Sequence, residues 1–527
     1  MLKFQKNLSN TFYAVLSLPA TAMGFALAVQ IAALSWLLST KYGLNIRDIG
    51  LVWATGPFAG IVGQVIIGII SDNVWVWNGR RRAFILVGGV LASLMILALP
   101  NIGIIQEGLG LAGILGVAIT VSLTLDLAIN VSFNPTRAII ADVTPEGRPR
   151  TKGYTWMQTV SGTFGVLAYL IGAVFNNFVL LYFGAVLVLL FSVLPPLFIK
   201  EPRYLGQYGR EEDKPQLKVK AEGDPKEVNH SSFLEIMKTI LPLWGFLLYA
   251  IYGFSVRLGG ISPIPNYMFE ISCGILTLAL VIFVLSQKEK GISKEADGLI
   301  GFRKVLAAHS FTWIGVQTMF IYLFAFVRYR IPEMMDFDPA FMDVTDGNAV
   351  MNGLTRSGID DTIGDIVNWS FFSLNLVAAI IPVLFLEPLA AKFGRVRVHA
   401  ISVGSMALGY MGIFYFGYTP WMIYTLMAVV GIGWAATISL PFAIMSQKIP
   451  QSSMGLYMGL FNLSVVLPQF VSSLGVGEWV EVAEDKSIIF IISAVTVAIS
   501  GIAWAMIKEP VDTFTENPAL EGEKEEI

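Results

Sequence analysis

The sequence predicts an all-α polytopic membrane protein: two six-helix bundles with an inserted helix pair between them, fourteen transmembrane helices in all. Three observations carry this. Of 527 residues, 55% are hydrophobic and only 14% charged, well below the roughly 25% charge of soluble domains. The apolar residues gather in runs long enough to cross a bilayer, and a short basic loop sequence occurs once in each half of the chain.

The spans are read in order from the apolar runs. In the first half they fall near 12–38, 49–70, 83–99, 109–136, 154–173 and 178–199. A polar stretch follows, containing REEDKPQLKVKAEGDPKEVNH, too charged to form a core. Two further apolar runs, near 233–254 and 266–286, are joined by a turn rich in Gly259, Gly260, Pro263 and Pro265. They read as a transmembrane hairpin, with a pair lying on the membrane surface as the alternative because Glu235 and Lys238 give the first run a polar start. The second half has spans near 305–328, 365–388, 398–416, 420–446, 454–475 and 487–507. The domains are therefore 1–200, an N-terminal bundle; 201–232, a linker; 233–300, the inserted pair and its loop; 301–508, a C-terminal bundle; and 509–527, an acidic tail.

Most Lys and Arg residues fall on one side of this arrangement, among them Arg80 to Arg82, Arg148, Arg150, Lys152 and the linker. By the positive-inside bias both termini are cytoplasmic. Lys3 and Lys6 before an apolar run imitate a signal peptide. The run continues to Leu38, however, beyond the roughly 7–15 residues of such a segment, so cleavage is not expected.

Composition also excludes several functions. The single Cys273 cannot form an intramolecular disulfide or a multi-cysteine metal site. His230, His309 and His399 show neither metal-ligand spacing nor a nucleophile–base pattern, so no metal, cofactor or enzyme activity is expected. A net charge of −3 gives no reason to expect nucleic acid.

The chemistry concentrates in LTLDLAINVSFNPTRAIIAD, Leu123 to Asp142. At about 100° per residue, Asn130, Asn134 and Arg137 lie at about 40°, 80° and 20° from Asp126, on one stripe. An ionised carboxylate at bilayer depth costs at least about 2.5–3.5 kcal/mol, so Asp126 faces a wet cavity or a partner. Arg137 is eleven residues on, about 16 Å along a straight helix, too far to pair with Asp126 unless Pro135 breaks the helix. A permanent ion pair locking helices together is the structural alternative for Asp126, and snorkelling to the interface is that for Arg137.

Gly79-Arg80-Arg81-Arg82, after the second span, is echoed by Gly394-Arg395-Val396-Arg397, and Pro135 and Ala138 more weakly by Pro441 and Ala443. Two six-helix halves with a site between them near midplane is a plan transporters use. The stretch GPFAGIVGQVIIGIISDNVWVWNGRRRAFI (Gly56 to Ile85), with Asp126, Ala128, Asn130, Pro135, Arg137, Ala138 and Asp142, and with SLPFAIMSQKIPQSSMGLYMGLFNLSVVLPQ (Ser439 to Gln469), resembles the major facilitator superfamily. Within it, the resemblance is to the sucrose-carrier-like branch of glycoside:proton symporters. The chain departs from the common pattern at Asn73, in lacking an alignable Arg-Glu pair in its second half, and in the inserted pair.

The resemblance implies the major facilitator fold and secondary active transport: symport of a proton with a sugar or glycoside, of sucrose or maltose type, by alternating access. It implies Asp126 as the proton-coupling residue. Gln30, Asn130, Arg137, Gln317, Asn375, Asn462 and Gln469 are the implied substrate-binding residues, with Asn134 offering a further amide. Trp313, Phe25, Tyr154 and Trp434 are available as aromatic platforms for sugar rings. Gly68, Asp72, Gly79, Arg80, Arg82 and Asp142 form an expected gating loop, a latch made only while the halves are closed at that end, whereas the positive-inside bias accounts for Arg81. A monomer in the plasma membrane (the inner membrane of a bacterium) is implied, with sugar, protons and lipid as its only partners. A Na⁺-coupled carrier and a sugar sensor that barely transports are the rival readings.

Overall fold

The computed structural model describes residues 5, 7–61, 63, 70, 74–145, 148–202, 233–289, 294–449 and 454–509. The expected linker and acidic tail, together with Gly68, Asp72 and Asn73, lie outside them in whole or in large part.

The described residues of the first half are mainly helical. α1 (Asn10–Thr40) starts where the Ser9 hydroxyl accepts the Phe12 N–H, and α2 (Ile46–Trp53) where the Asn45 side chain accepts the Asp48 N–H. Both are side-chain caps that satisfy donors left free at a helix start. α3 (Arg82–Ala98), α4 (Ile114–Val143), α5 (Arg148–Val174) and α6 (Asn177–Phe198) complete it. Pro135 sits inside α4 without ending it, so Asp126 and Arg137 remain on one continuous helix. Gly88 lets α3 lie against α4: a Cβ there would fall 2.6 Å from the Ala128 carbonyl oxygen. Small residues at such crossings are how helices associate where lipid offers no hydrophobic drive.

α7 (Trp244–Arg257) and α8 (Met268–Ser286) form the inserted pair, α8 lying on α9 (Lys294–Met334). α10 (Arg356–Ile381), α11 (Arg395–Phe416), α12 (Pro420–Lys448) and α13 (Met454–Phe470) follow. α13 passes through a π-helical turn, Val471–Val476, into α14 (Gly477–Val482), and α15 (Ile488–Ala505) closes the second half. A small hairpin of β1 (Val350–Met351) and β2 (Leu354–Thr355) lies between α9 and α10.

Among the described residues, twelve helices are long and apolar enough to cross a membrane. The expected fourteen are not reached, for two reasons. The second expected span, 49–70, is described only in part: α2 stops at Trp53, and residues 62 and 64–69 lie outside the described residues. The first inserted helix is interrupted by a tight turn at Leu241–Leu243, leaving α7 short. Helix bounds also exceed the apolar runs. α10 begins at Arg356, nine residues before the expected span, because Thr355 caps it through the Gly358 N–H, while Asp360, Asp361 and Asp365 depress local hydropathy without breaking the helix.

α1 packs on α5 and α6, and α3 on α4 and α6; α9 packs on α13 and α15, and α11 on α12 and α15. The two groups meet mainly at the end opposite the chain termini. There Trp36 Nε1 donates to the Asp360 carbonyl at 2.7 Å and Asn368 Nδ2 to Asn177 Oδ1 at 2.8 Å. Gly172 of α5 abuts Asn368, whose amide oxygen a Cβ would approach to 2.5 Å. Towards the termini α5 shows an exposed polar face, Thr155, Gln158, Thr159 and Thr163, at helical spacing.

Candidate functional site

Asp126 lies at the junction of α4 with α1 and the helical segment after α2, 4% exposed. Gln30 Nε2 donates to its Oδ1 at 3.0 Å, and Thr55 Oγ1 donates to its Oδ2 at 2.7 Å. Gln30 and Thr55 are themselves 3% and 6% exposed. Among the described residues no Lys, Arg or His forms an ion pair with this carboxylate. A permanent ion pair is therefore not what holds it. Two neutral donors leave the carboxylate able to gain a proton without stranding an opposite charge.

In the second half Gln469 Nε2 donates to Gln317 Oε1 at 3.1 Å, joining two residues expected at the substrate site from α13 and α9. Trp313, Gln317 and Phe320 share one face of α9, at spacings of four and three residues. Trp313 and Trp434 stand edge to face at 5.9 Å, and Phe320 lies 5.4 Å from Trp434 and 5.7 Å from Phe371. Asn375 bonds back to the Phe371 carbonyl and lies within hydrogen-bond reach of the Tyr169 hydroxyl, from the other half. Phe25 is not available as a platform: it is fully buried and packs on Phe183.

Asn130 donates to the Asp126 carbonyl one turn back, so part of its amide serves its own helix. Asn134 and Asn462 are half-buried on α4 and α13. Arg137 is exposed, its guanidinium stacked 4.0 Å above the Phe133 ring, and the Tyr154 hydroxyl donates to its carbonyl at 3.4 Å. It lies towards the terminus-bearing end, away from Asp126.

The loop before α3 departs from expectation. Arg81, not Arg80 or Arg82, meets Asp142: its Nε donates to Oδ2 at 3.0 Å with both side chains about nine-tenths buried. Both residues belong to the same bundle, so this bond is no latch between the halves. The backbone N–H groups of Arg80, Arg81 and Arg82 all donate to the carboxylate of Glu201, at 2.8, 2.8 and 2.9 Å, and Gly79 leaves room for it. An acid at a helix start is favoured by the dipole as well as by these bonds.

A family model described as Major Facilitator Superfamily matches residues 16–287 and 265–473. The chain belongs to the Major Facilitator Superfamily. Among curated members, the Sucrose transport protein SUC4 of Arabidopsis thaliana is 23% identical over 501 residues, 87% of this chain and 82% of that protein. The General alpha-glucoside permease of Schizosaccharomyces pombe is 28% identical over 217 residues, 36% of this chain and 39% of that one. A crystal structure of the peptide transporter POT in complex with sulfate aligns with a TM-score of 0.58 at 14% identity, covering 94% of each chain, a likeness of fold.

Sequence reasoning missed three groups in this superfamily member. Thr55 was legible only as a polar residue in the apolar run LVWATGPF. Glu201 and its counterpart Glu509 carried a clear signal, the tetrapeptide Ile-Lys-Glu-Pro at 199–202 and again at 507–510. Glu509 accepts the N–H groups of Arg395 and Val396 at 2.6 and 3.0 Å, repeating at the second basic loop what Glu201 does at the first. Glu478 and Glu481, which meet the first half at the far end, follow from nothing in the local sequence.

Proposed function

We propose that the protein is a proton-coupled symporter of a sugar or glycoside, of di- or oligosaccharide size, working by alternating access with Asp126 as the coupling site. The observation that carries the reading is the carboxylate of Asp126, buried at a three-segment junction and held by two neutral donors. A charge there is costly to keep from water, so its protonation depends on which end of the protein is open. The similarity to sucrose and alpha-glucoside carriers supports the substrate class.

In this reading Gln317 and Gln469 offer amide donors and acceptors to sugar hydroxyls, while Trp313 and Trp434 offer faces to the apolar side of a pyranose ring. Asn130, Arg137, Asn375 and Asn462 line the path, and Gln30, itself buried, acts through the Asp126 carboxylate. With both termini cytoplasmic in a plasma membrane, the seam at Trp36, Asn177 and Asn368 closes the outer end, and the polar face of α5 borders an inward opening. At about −150 mV, one co-transported proton supplies about 3.5 kcal/mol, enough for roughly several-hundred-fold accumulation of a neutral sugar.

The test is uptake of a panel of labelled mono- and disaccharides by purified protein in liposomes, with an inward proton gradient and no sodium. Accumulation of at least one glycoside that collapses with a protonophore is expected. Uptake that needs sodium, or no sugar uptake under any gradient, would overturn the reading.

A further inference from the structure

Glu478 of α14 is shared by two guanidinium groups from different parts of the chain. Arg257, the last residue of α7 in the inserted pair, is hydrogen-bonded to its Oε1 with a side chain only 11% exposed. Arg47, in the first turn of α2 on the other half, reaches the same oxygen at 3.9 Å with its side chain 55% exposed. Three residues further on, Glu481 Oε2 accepts the Ile46 N–H at 2.8 Å, which fastens the start of α2 to α14.

The segment that places these two acids is the π-helical turn Val471–Val476, and the inserted pair touches it repeatedly. Phe254 meets Phe470 edge to face at 4.9 Å; Gly253 lies against Leu474, and the Tyr249 hydroxyl against Gly475. From the opposite side α9 holds the same turn: Tyr322 donates to the Ser472 carbonyl at 3.0 Å, and Ser472 Oγ to the Ile314 carbonyl at 2.9 Å. A π-helical turn is a local departure from the α-ladder that recurs at functional sites. Here it is clamped by the inserted pair just before the seam.

We propose that the inserted pair is a brace for the outer seam: Arg257 keeps Glu478 compensated when Arg47 withdraws, and so eases the parting of the two halves at this end. α7 and α8 lie mainly against the second half, with one ring contact to the first, Phe254 on Phe58 at 6.0 Å, so Arg257 travels with Glu478 while Arg47 departs with α2. Without Arg257 the acid depends on Arg47 alone, which strengthens the closed seam; without Arg47 the seam loses a tie. The two substitutions therefore act in opposite directions. The proposal rests on the alternating-access reading, and on neither the sugar nor the proton.

The test measures the distance distribution between spin labels at Glu107 and Glu484, on the outer ends of the two halves, in full-length protein with Cys273→Ser in liposomes. Arg257→Gln is expected to reduce the long-distance population about two- to five-fold, and Arg47→Gln to raise it by a similar factor, the size of an exposed ion pair. Arg257→Lys should keep the original distribution. In a Glu478→Gln background, Arg47→Gln should produce no further shift, an arm that stands even if Arg257→Gln does not fold. A long-distance population that rises or stays unchanged in Arg257→Gln while rising in Arg47→Gln would overturn the brace, as would a shift that survives in the Glu478→Gln background. If no variant shows a long-distance population, alternating access fails and the brace fails with it.

Discussion

The amide of Gln30 and the carboxylate of Asp126 meet at 3.0 Å across 96 residues of chain, and Thr55 completes the pair of donors from a third segment. All three side chains belong to the first half. Rigid motion of one half against the other would leave both contacts in place.

Thr55→Val removes a donor to the ionised carboxylate, a bond worth about 1.5–3 kcal/mol. The deprotonated carrier loses it whichever way the protein opens, so the step that releases the proton should slow. Net proton-driven uptake is expected to fall about ten-fold or more, while sugar exchange, which skips that step, falls less. Paired uptake and exchange assays in liposomes check this.

Gln469→Ala breaks the amide pair with Gln317. A lost sugar contact that is equal in bound and transition states raises KM without lowering the maximal rate. About a ten-fold rise in KM is expected, with the proton-to-sugar ratio unchanged. Initial-rate measurements over a range of sugar concentrations decide it.

Gly172→Leu places a side chain where Asn368 of the other half now lies. The closed seam should be disfavoured by steric overlap while each half stays folded. Cysteines introduced near the seam are expected to react faster with an impermeant thiol reagent, and net uptake to drop severely.

Asp142→Asn removes the carboxylate that the Arg81 guanidinium donates to, a charge-assisted bond worth about 1.5–3 kcal/mol. Glu201→Ala strips an acceptor from three N–H groups at the start of α3. Both variants are expected to lower the thermal midpoint in detergent by several degrees, read by intrinsic fluorescence. Arg80→Gln, by comparison, should shift it little.

Much of the architecture was legible in the apolar runs, because a bilayer-length helix must be nearly continuous in hydropathy. Asp126 was legible for the same reason, as an acid that lipid cannot accommodate. What escaped was anything set by helix rotation and long-range contact. Arg81 was passed over because a basic loop has a sufficient topological explanation, yet the turn before α3 aims it, rather than Arg80 or Arg82, at Asp142. Phe25 looked like a platform because its neighbour in space, Phe183, is far away in sequence. Helix ends were misplaced at α10 because capping by Thr355, rather than hydropathy, decides where that helix begins.

The most direct measurement is proton-driven uptake by Asp126→Asn in liposomes, alongside sugar exchange at equal internal and external pH. The amide keeps the shape of the side chain, accepts from Gln30 and turns its own donor towards the Thr55 hydroxyl, which can accept it, but it cannot carry a proton across. The account expects accumulation to vanish while exchange persists at a measurable rate. Accumulation equal to that of the unsubstituted protein would contradict it.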